Sequence, residues 1–236
     1  MISTRNSLLW PANARAGYIQ ARRALIQAEH ELLEQVERVA EQRRALPPGP
    51  VVGDYRFTER VLDQDGERTH DVPVSLSGLV SAEKPFACYH MMMSPGAGEA
   101  CPMCSSFVDG LEGVVPHLEQ HMTFAVIAKA PIDELTRWGS LRGWKHVRLI
   151  SSHGTTFNAD FNAEDSDADQ IPGVSVFVRA GDAIRHTYTV HAGIPGIRAE
   201  RGLDQLSPLW NMLDLMPGGR GDWYAGNDYP LGRSRE

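Results

Sequence analysis

Residues 96–110 read GAGEACPMCSSFVDG. Two of the chain's three cysteines stand here as C-x-x-C, with glycines just before them and helix-forming residues after. Glycines at 96 and 98 allow a sharp turn. Pro102 suits the first position of a helix, where a missing N–H is no loss. The stretch therefore predicts a helix opening at Cys101, with that cysteine at the N-cap. An N-cap side chain faces the free N–H groups of the second and third helical residues, Met103 and Cys104. A thiolate there is favoured by those donors and by the positive end of the helix dipole. Cys101 is therefore expected below the roughly 8.5 of a free thiol. Cys104 lies one turn on, with its Cα about 5 Å away, within disulfide range. Cys101 is the expected attacking thiol and Cys104 the expected resolving thiol of a disulfide exchange. The chemistry calls for no cofactor.

Moving outward, PFACYHMMM (85–93) is an apolar run of strand length that ends just before the glycines, as a central buried strand would. MTFAVIAK (122–129) and VRLISS (147–152) predict further strands, with a helix over 131–144 between them. Gly113 and Pro116 predict a break in the helix that follows the cysteines. GVSVFVRAGDAIRHTYTV (173–190) predicts a hairpin around RAGD. Residues 55–80 predict strands around the turn DQDGER and then a short helix. Residues 203–216 predict a last helical segment despite Pro208. Alternating strands and helices indicate an α/β fold.

At the N-terminus, apolar residues recur at three- and four-residue steps from Leu25 through Leu32 to Val36 and Val39, predicting one helix over 12–45 that LPPGP (46–50) stops. The expected division is a helical arm (1–50), a main domain (51–216) and a loose tail (217–236). The arm is expected to fold onto its own domain, or else to form a homodimer or dock elsewhere.

The chain has 236 residues, 42% hydrophobic and 22% charged, with net charge −7. An acidic chain without a basic block is not expected to bind nucleic acid. With no apolar run near the roughly 20 residues of a membrane span and no secretion signal, a cytoplasmic protein off the membrane is expected. Three cysteines make no disulfide scaffold.

Several pieces match known families. The strand–CPMC–helix unit resembles the thioredoxin superfamily. IPGVSVFVRAGD (171–182) is similar to the thioredoxin segment in which a cis proline opens a strand; Pro172 and Phe177 hold the corresponding places. The set RRALPP, YRF, YHMM, CPMCSSFVD, RGW, SSHGTTFNADF, GVSVFVR and LDLMPGGR resembles a bacterial domain-of-unknown-function family, thioredoxin-like, whose members are described as predicted dithiol–disulfide isomerases. The resemblance implies a thioredoxin-like fold, a cis Pro172 lying against Cys101, and a substrate groove formed with Pro102 and Met103. It implies a disulfide-containing protein or a small thiol as the reacting partner. The motif departs from thioredoxin's Cys-Gly-Pro-Cys. The opening strands resemble those of a peroxiredoxin, but Gly98 stands where the T-x-x-C signature has threonine.

Other readings stay open. The cysteines can be inert, or can bind copper or zinc with His90 as a third ligand, although no second paired motif is present. His90 is a candidate proton shuttle or else a hydrogen-bonded sheet residue. Asp109 is a candidate proton relay or a solvated acid. Arg142 is a candidate for orienting an anion or else an ion-pair partner. Ser152, His153 and Asn158 are candidate pocket residues at a strand end. Cys88 is expected to be buried and inert.

Overall fold

The computed structural model describes residues 9–63, 68–193 and 201–228. The chain divides into two compact units, residues 1–47 and 48–236. The first holds helix α1 (Ala16–Arg44). Its Ala, Leu, Glu, Gln and Arg are strong helix formers and no proline interrupts them. Arg43 and Arg44 in its last turn complement the helix dipole, and the Ala45 N–H closes the helix on Glu41 O at 2.9 Å.

The second unit is built on one seven-stranded sheet. Its elements run β1 (Arg56–Leu62), β2 (Thr69–Ser75), α2 (Leu76–Leu79), β3 (Phe86–His90), α3 (Pro102–Glu112), α4 (Val115–Leu118), β4 (Thr123–Ala128), α5 (Ile132–Arg142), β5 (Arg148–Ser151), α6 (Phe157–Asp160), β6 (Gly173–Ala180), β7 (Ala183–His191), a 3-10 turn (Asp204–Leu206) and α7 (Pro208–Asp214). The strand order is β2-β1-β5-β4-β3-β6-β7. β3, β4 and β5 are parallel, and β6 returns antiparallel to β3. The expected strands and helices are present, including the break after α3. Pro208 opens α7 instead of interrupting it, which removes the difficulty its position raised. The tip of the β1–β2 turn, 64–67, lies outside the described residues.

Every residue of β3 is buried, so its two faces serve two cores. Ala87 and Tyr89 join the cluster containing Phe107 and Val108 of α3 and Leu135 and Trp138 of α5. Phe86 and Cys88 join the opposite cluster, with Phe57, Ile127, Phe157 and Phe177. That two-sided burial is why 85–93 reads as an unbroken apolar run instead of an alternating one. Short α6 was not foreseen: SSHGTTFNADF looks polar, yet Phe157 and Phe161 plug the second core, their ring centroids 4.9 Å apart.

Candidate active site

β3 ends at His90, and the chain continues beside β4 before it turns. The Met91 N–H donates to Ile127 O at 2.9 Å, and the Ala130 N–H donates to Met93 O at 2.8 Å. Gly96 (φ +76°) and Gly98 (φ +74°) then take the left-handed backbone that other residues resist. Helix α5 holds this turn: the Glu134 carboxylate accepts from the Gly96 N–H at 3.0 Å, and Arg137 donates to Gly98 O at 2.7 Å. The Cys101 N–H donates to Met92 O at 2.9 Å, so the helix start is tied back to the end of β3.

Cys101 is the N-cap of α3 and Pro102 its first residue. Cys101 is half-buried and Cys104 fully buried; both are free thiols, as is Cys88. The Cys101 thiol is held down to about 6. The largest cause is the hydrogen bond from the Cys104 thiol to the Cys101 thiolate. Partial burial opposes it; the N–H groups of Cys104 and Met103 and the Tyr224 hydroxyl reinforce it. The Cys101 side chain makes no capping hydrogen bond of ordinary geometry, although the N–H groups of Cys104 and Met103 lie near enough to favour its thiolate. Cys104 is pushed well up, first by that hydrogen bond to Cys101 and then by burial, while the Tyr89 hydroxyl and the Met92 N–H pull it down. The Tyr89 hydroxyl is itself raised well above the ordinary phenol, chiefly by burial.

A cavity of about 290 Å³ opens beside the sulfurs. Pro172, Met103, Phe107, Leu203, Trp210 and Tyr224 are among its walls. The wall at Tyr224 comes from the tail. Arg220 forks onto the Asp214 carboxylate at 2.6 and 2.8 Å and reaches Asp204 at 2.9 Å. Trp223 packs edge-on against Trp210. The Ala225 N–H donates to Met103 Sδ at 3.4 Å, and Asn227 donates to Ala100 O at 3.0 Å and to the Glu99 carboxylate at 3.1 Å. Residues 223–227 thus run over the first turn of α3.

Backbone and side chains decide several readings that the sequence implied or left open. Pro172 lines the cavity, but its peptide bond is trans, since no described peptide bond is cis. The flanking backbone is fixed on both sides: the Ile171 N–H donates to Ala163 O at 2.9 Å and Pro172 O accepts from the Ala192 N–H at 2.9 Å. His90 is close to the cysteines in sequence but not in space. Side chains alternate along a strand, so Tyr89 faces the sulfurs and His90 faces the other core. There it stacks on Phe157, bonds Ser175 Oγ at 2.8 Å, and is driven down to about 3 chiefly by burial. It is neither a shuttle for Cys101 nor a third ligand for the pair. Asp109 does not reach Cys104. It accepts from the Trp144 indole N–H at 2.8 Å and pairs with Arg142, whose side chain is only 4% exposed. That clamp fixes α3 to the end of α5, so Arg142 is an ion-pair partner and not an anion receptor. Ser152 and Asn158 are turned inward, hydrogen-bonded to each other at 2.5 Å, while His153 is exposed; none lines the cavity.

Among the described residues, no group of three or more His, Cys, Asp or Glu side chains is arranged to hold a metal. Cys88 is fully buried, which pushes its thiol far up. No helix among the described residues is long and apolar enough to cross a membrane.

Residues 9–231 match the model of a family described as "Bacterial protein of unknown function (DUF899)". The chain belongs to this family. No match was found among curated proteins. Among solved structures, the chain is similar to the reduced 2-Cys peroxiredoxin of Plasmodium vivax, at 14% identity and TM-score 0.47, covering 67% of this chain and 93% of that one. It is also similar to thioredoxin peroxidase I of Plasmodium yoelii (13%, TM-score 0.47, 76% and 100%) and to AhpC of Mycobacterium tuberculosis (8%, TM-score 0.48, 68% and 89%). The DUF899 chain has the thioredoxin-like α/β fold expected from its sequence, a mixed sheet flanked by helices with the dithiol where the central strand gives way to a helix.

Proposed function

We propose that this protein is a thiol–disulfide oxidoreductase in which Cys101 attacks and Cys104 resolves. One observation carries the reading: a half-exposed sulfur held down to about 6 at a helix start, with a buried, protonated partner one turn behind it. A low-pKa, reachable thiol beside a second thiol is the arrangement that exchange chemistry uses.

The Cys101 thiolate attacks one sulfur of a substrate RS–SR′. A Cys101–S–S–R bond forms and R′S⁻ leaves. Cys104 then loses its proton and attacks the Cys101 sulfur, expelling RS⁻. The Cys101–Cys104 disulfide remains and the substrate has gained two electrons; RS⁻ and R′S⁻ take up protons to the extent their own pKa values require. A dithiol donor returns the pair to the reduced state. The order of ionisation follows from the charges. While Cys101 is an anion, its hydrogen bond and its charge both hold the proton on Cys104. Forming the mixed disulfide removes that anion. The Tyr89 hydroxyl and the Met92 N–H then favour the Cys104 thiolate against burial alone. The resolving thiol is thus activated by the first step. Such a dithiol persists reduced in a reducing compartment, and the proposal puts the protein in the cytoplasm.

Cys104→Ser tests this. With hydroxyethyl disulfide, the variant is expected to stop at a stable Cys101 mixed disulfide, seen as a single adduct by intact mass, while the wild type passes to an internal disulfide with no adduct. An adduct on Cys88, or none on either protein, contradicts the assignment.

A further inference from the structure

We infer that the cavity beside Cys101 selects a small, uncharged disulfide carrying an apolar or aromatic group next to the sulfur. The inference rests on the exchange reading above and names the substrate class of that site. Among the described residues, none that lines the cavity is Asp, Glu, Lys, Arg or His. The lining side chains are aromatic rings, thioethers and aliphatic groups, and their polar groups are two serine hydroxyls, two tyrosine hydroxyls, the two cysteine sulfurs and the indole N–H of Trp210. Both tyrosine hydroxyls are engaged with the cysteines. A carboxylate or ammonium entering here would lose its water without gaining a counter-charge, which is costly. A ring or alkyl group gains by leaving water, and the ring faces of Trp210 and Phe107 suit an aromatic guest. A volume of about 290 Å³ is at the small end of ligand pockets, roughly 300–1,000 Å³. The tail, bonded to Ala100 and Met103, covers the first turn of α3, where a folded protein would otherwise approach. The same chemistry could come from a free disulfide or from an apolar side chain flanking a cysteine in a protein; the geometry favours the free disulfide.

The test measures formation of the Cys101–Cys104 disulfide by four small probes: dithiodipyridine (neutral, aromatic), hydroxyethyl disulfide (neutral, polar), dithiobis(nitrobenzoate) (aromatic dianion) and cystamine (dication). Insulin is the protein disulfide. Each rate is divided by that of the same probe on the urea-unfolded chain, which removes intrinsic reactivity. Dithiodipyridine is expected to lead both charged probes by at least about tenfold, the least that burying an unpaired charge should impose. The dication matters because the chain's net charge of −7 would by itself repel the dianion and attract the cation. Two variants, checked for folding by circular dichroism, move the preference. Ala192→Trp fills the cavity and erases the lead of dithiodipyridine; Ser106→Lys supplies a cation and raises the rate of the dianion. If the internal disulfide forms equally fast with charged and neutral probes, or insulin matches dithiodipyridine, the cavity does not select and the inference fails while exchange stands. If no probe oxidises the pair, the exchange reading fails and takes the inference with it.

Discussion

Cys101→Ser lowers disulfide exchange by at least about a thousandfold, the usual scale for removing an attacking group that works as part of a unit. Serine keeps the shape of the N-cap and can even cap α3 better than cysteine. The fold is therefore expected to survive, and the loss to be chemical. A hydroxyl at neutral pH is not an anion and forms no disulfide. Cys104 cannot take over, because it is 1% exposed and a substrate disulfide arriving from solution cannot reach its sulfur. Cys88 faces the other core and is fully buried. Steady-state reduction of a small aromatic disulfide with a dithiol donor, alongside a thermal melt, checks both halves. Residual activity within tenfold of wild type in a folded variant would mean that another thiol does the work.

Asp109→Ala is expected to destabilise the protein by about 3 kcal/mol, at the low end of what breaking a buried ion pair costs, because Asp109 itself is partly exposed. The variant leaves the Arg142 guanidinium nearly enclosed without its carboxylate and takes the acceptor from the Trp144 indole N–H. The clamp joins α3 to α5, and both helices rest on the same core cluster. Urea unfolding gives the difference. The paired variant Asp109→Ala with Arg142→Met should recover much of the loss, since an apolar residue can fill the site without a stranded charge. If the single variant falls within about 0.5 kcal/mol of wild type, the range of ordinary surface substitutions, the clamp does not fasten α3.

The sequence made the helix start legible because the cues are local: two glycines, a cysteine at the cap, a proline at the first helical position. The central strands were legible because burial on both faces leaves no polar residue to interrupt them. Of the two readings open for His90, the hydrogen-bonded sheet residue is the one found; the period of two in CYH separates Tyr89 from His90, and that parity was the signal for Tyr89 that went unread. Asp109 and Arg142 come from different helices, and nothing in sequence spacing announces their pairing. Tyr224 lies more than a hundred residues after Cys101 in a glycine-rich tail that reads as loose. Its approach to the sulfur depends on Arg220, Trp223 and Asn227 finding partners on α7 and on the loop before α3. Phe157 and Phe161 stand in a polar segment, where only the aromatic residues themselves hinted at a core.

The central claim is an ionised, reachable Cys101, and the pH dependence of its alkylation tests that most directly. A thiol whose proton leaves near pH 6 reacts at a rate that rises with pH and levels above about pH 7. The profile, not the rate at one pH, is decisive, because a low-pKa thiolate is also a weaker nucleophile and near neutrality gains only about two- to threefold over a free thiol. With iodoacetamide and peptide mass mapping on the reduced protein, the account predicts a midpoint for Cys101 at about pH 6, while Cys104 stays unmodified. A Cys101 midpoint near the roughly 8.5 of free cysteine, or Cys104 alkylated as fast as Cys101, would contradict it.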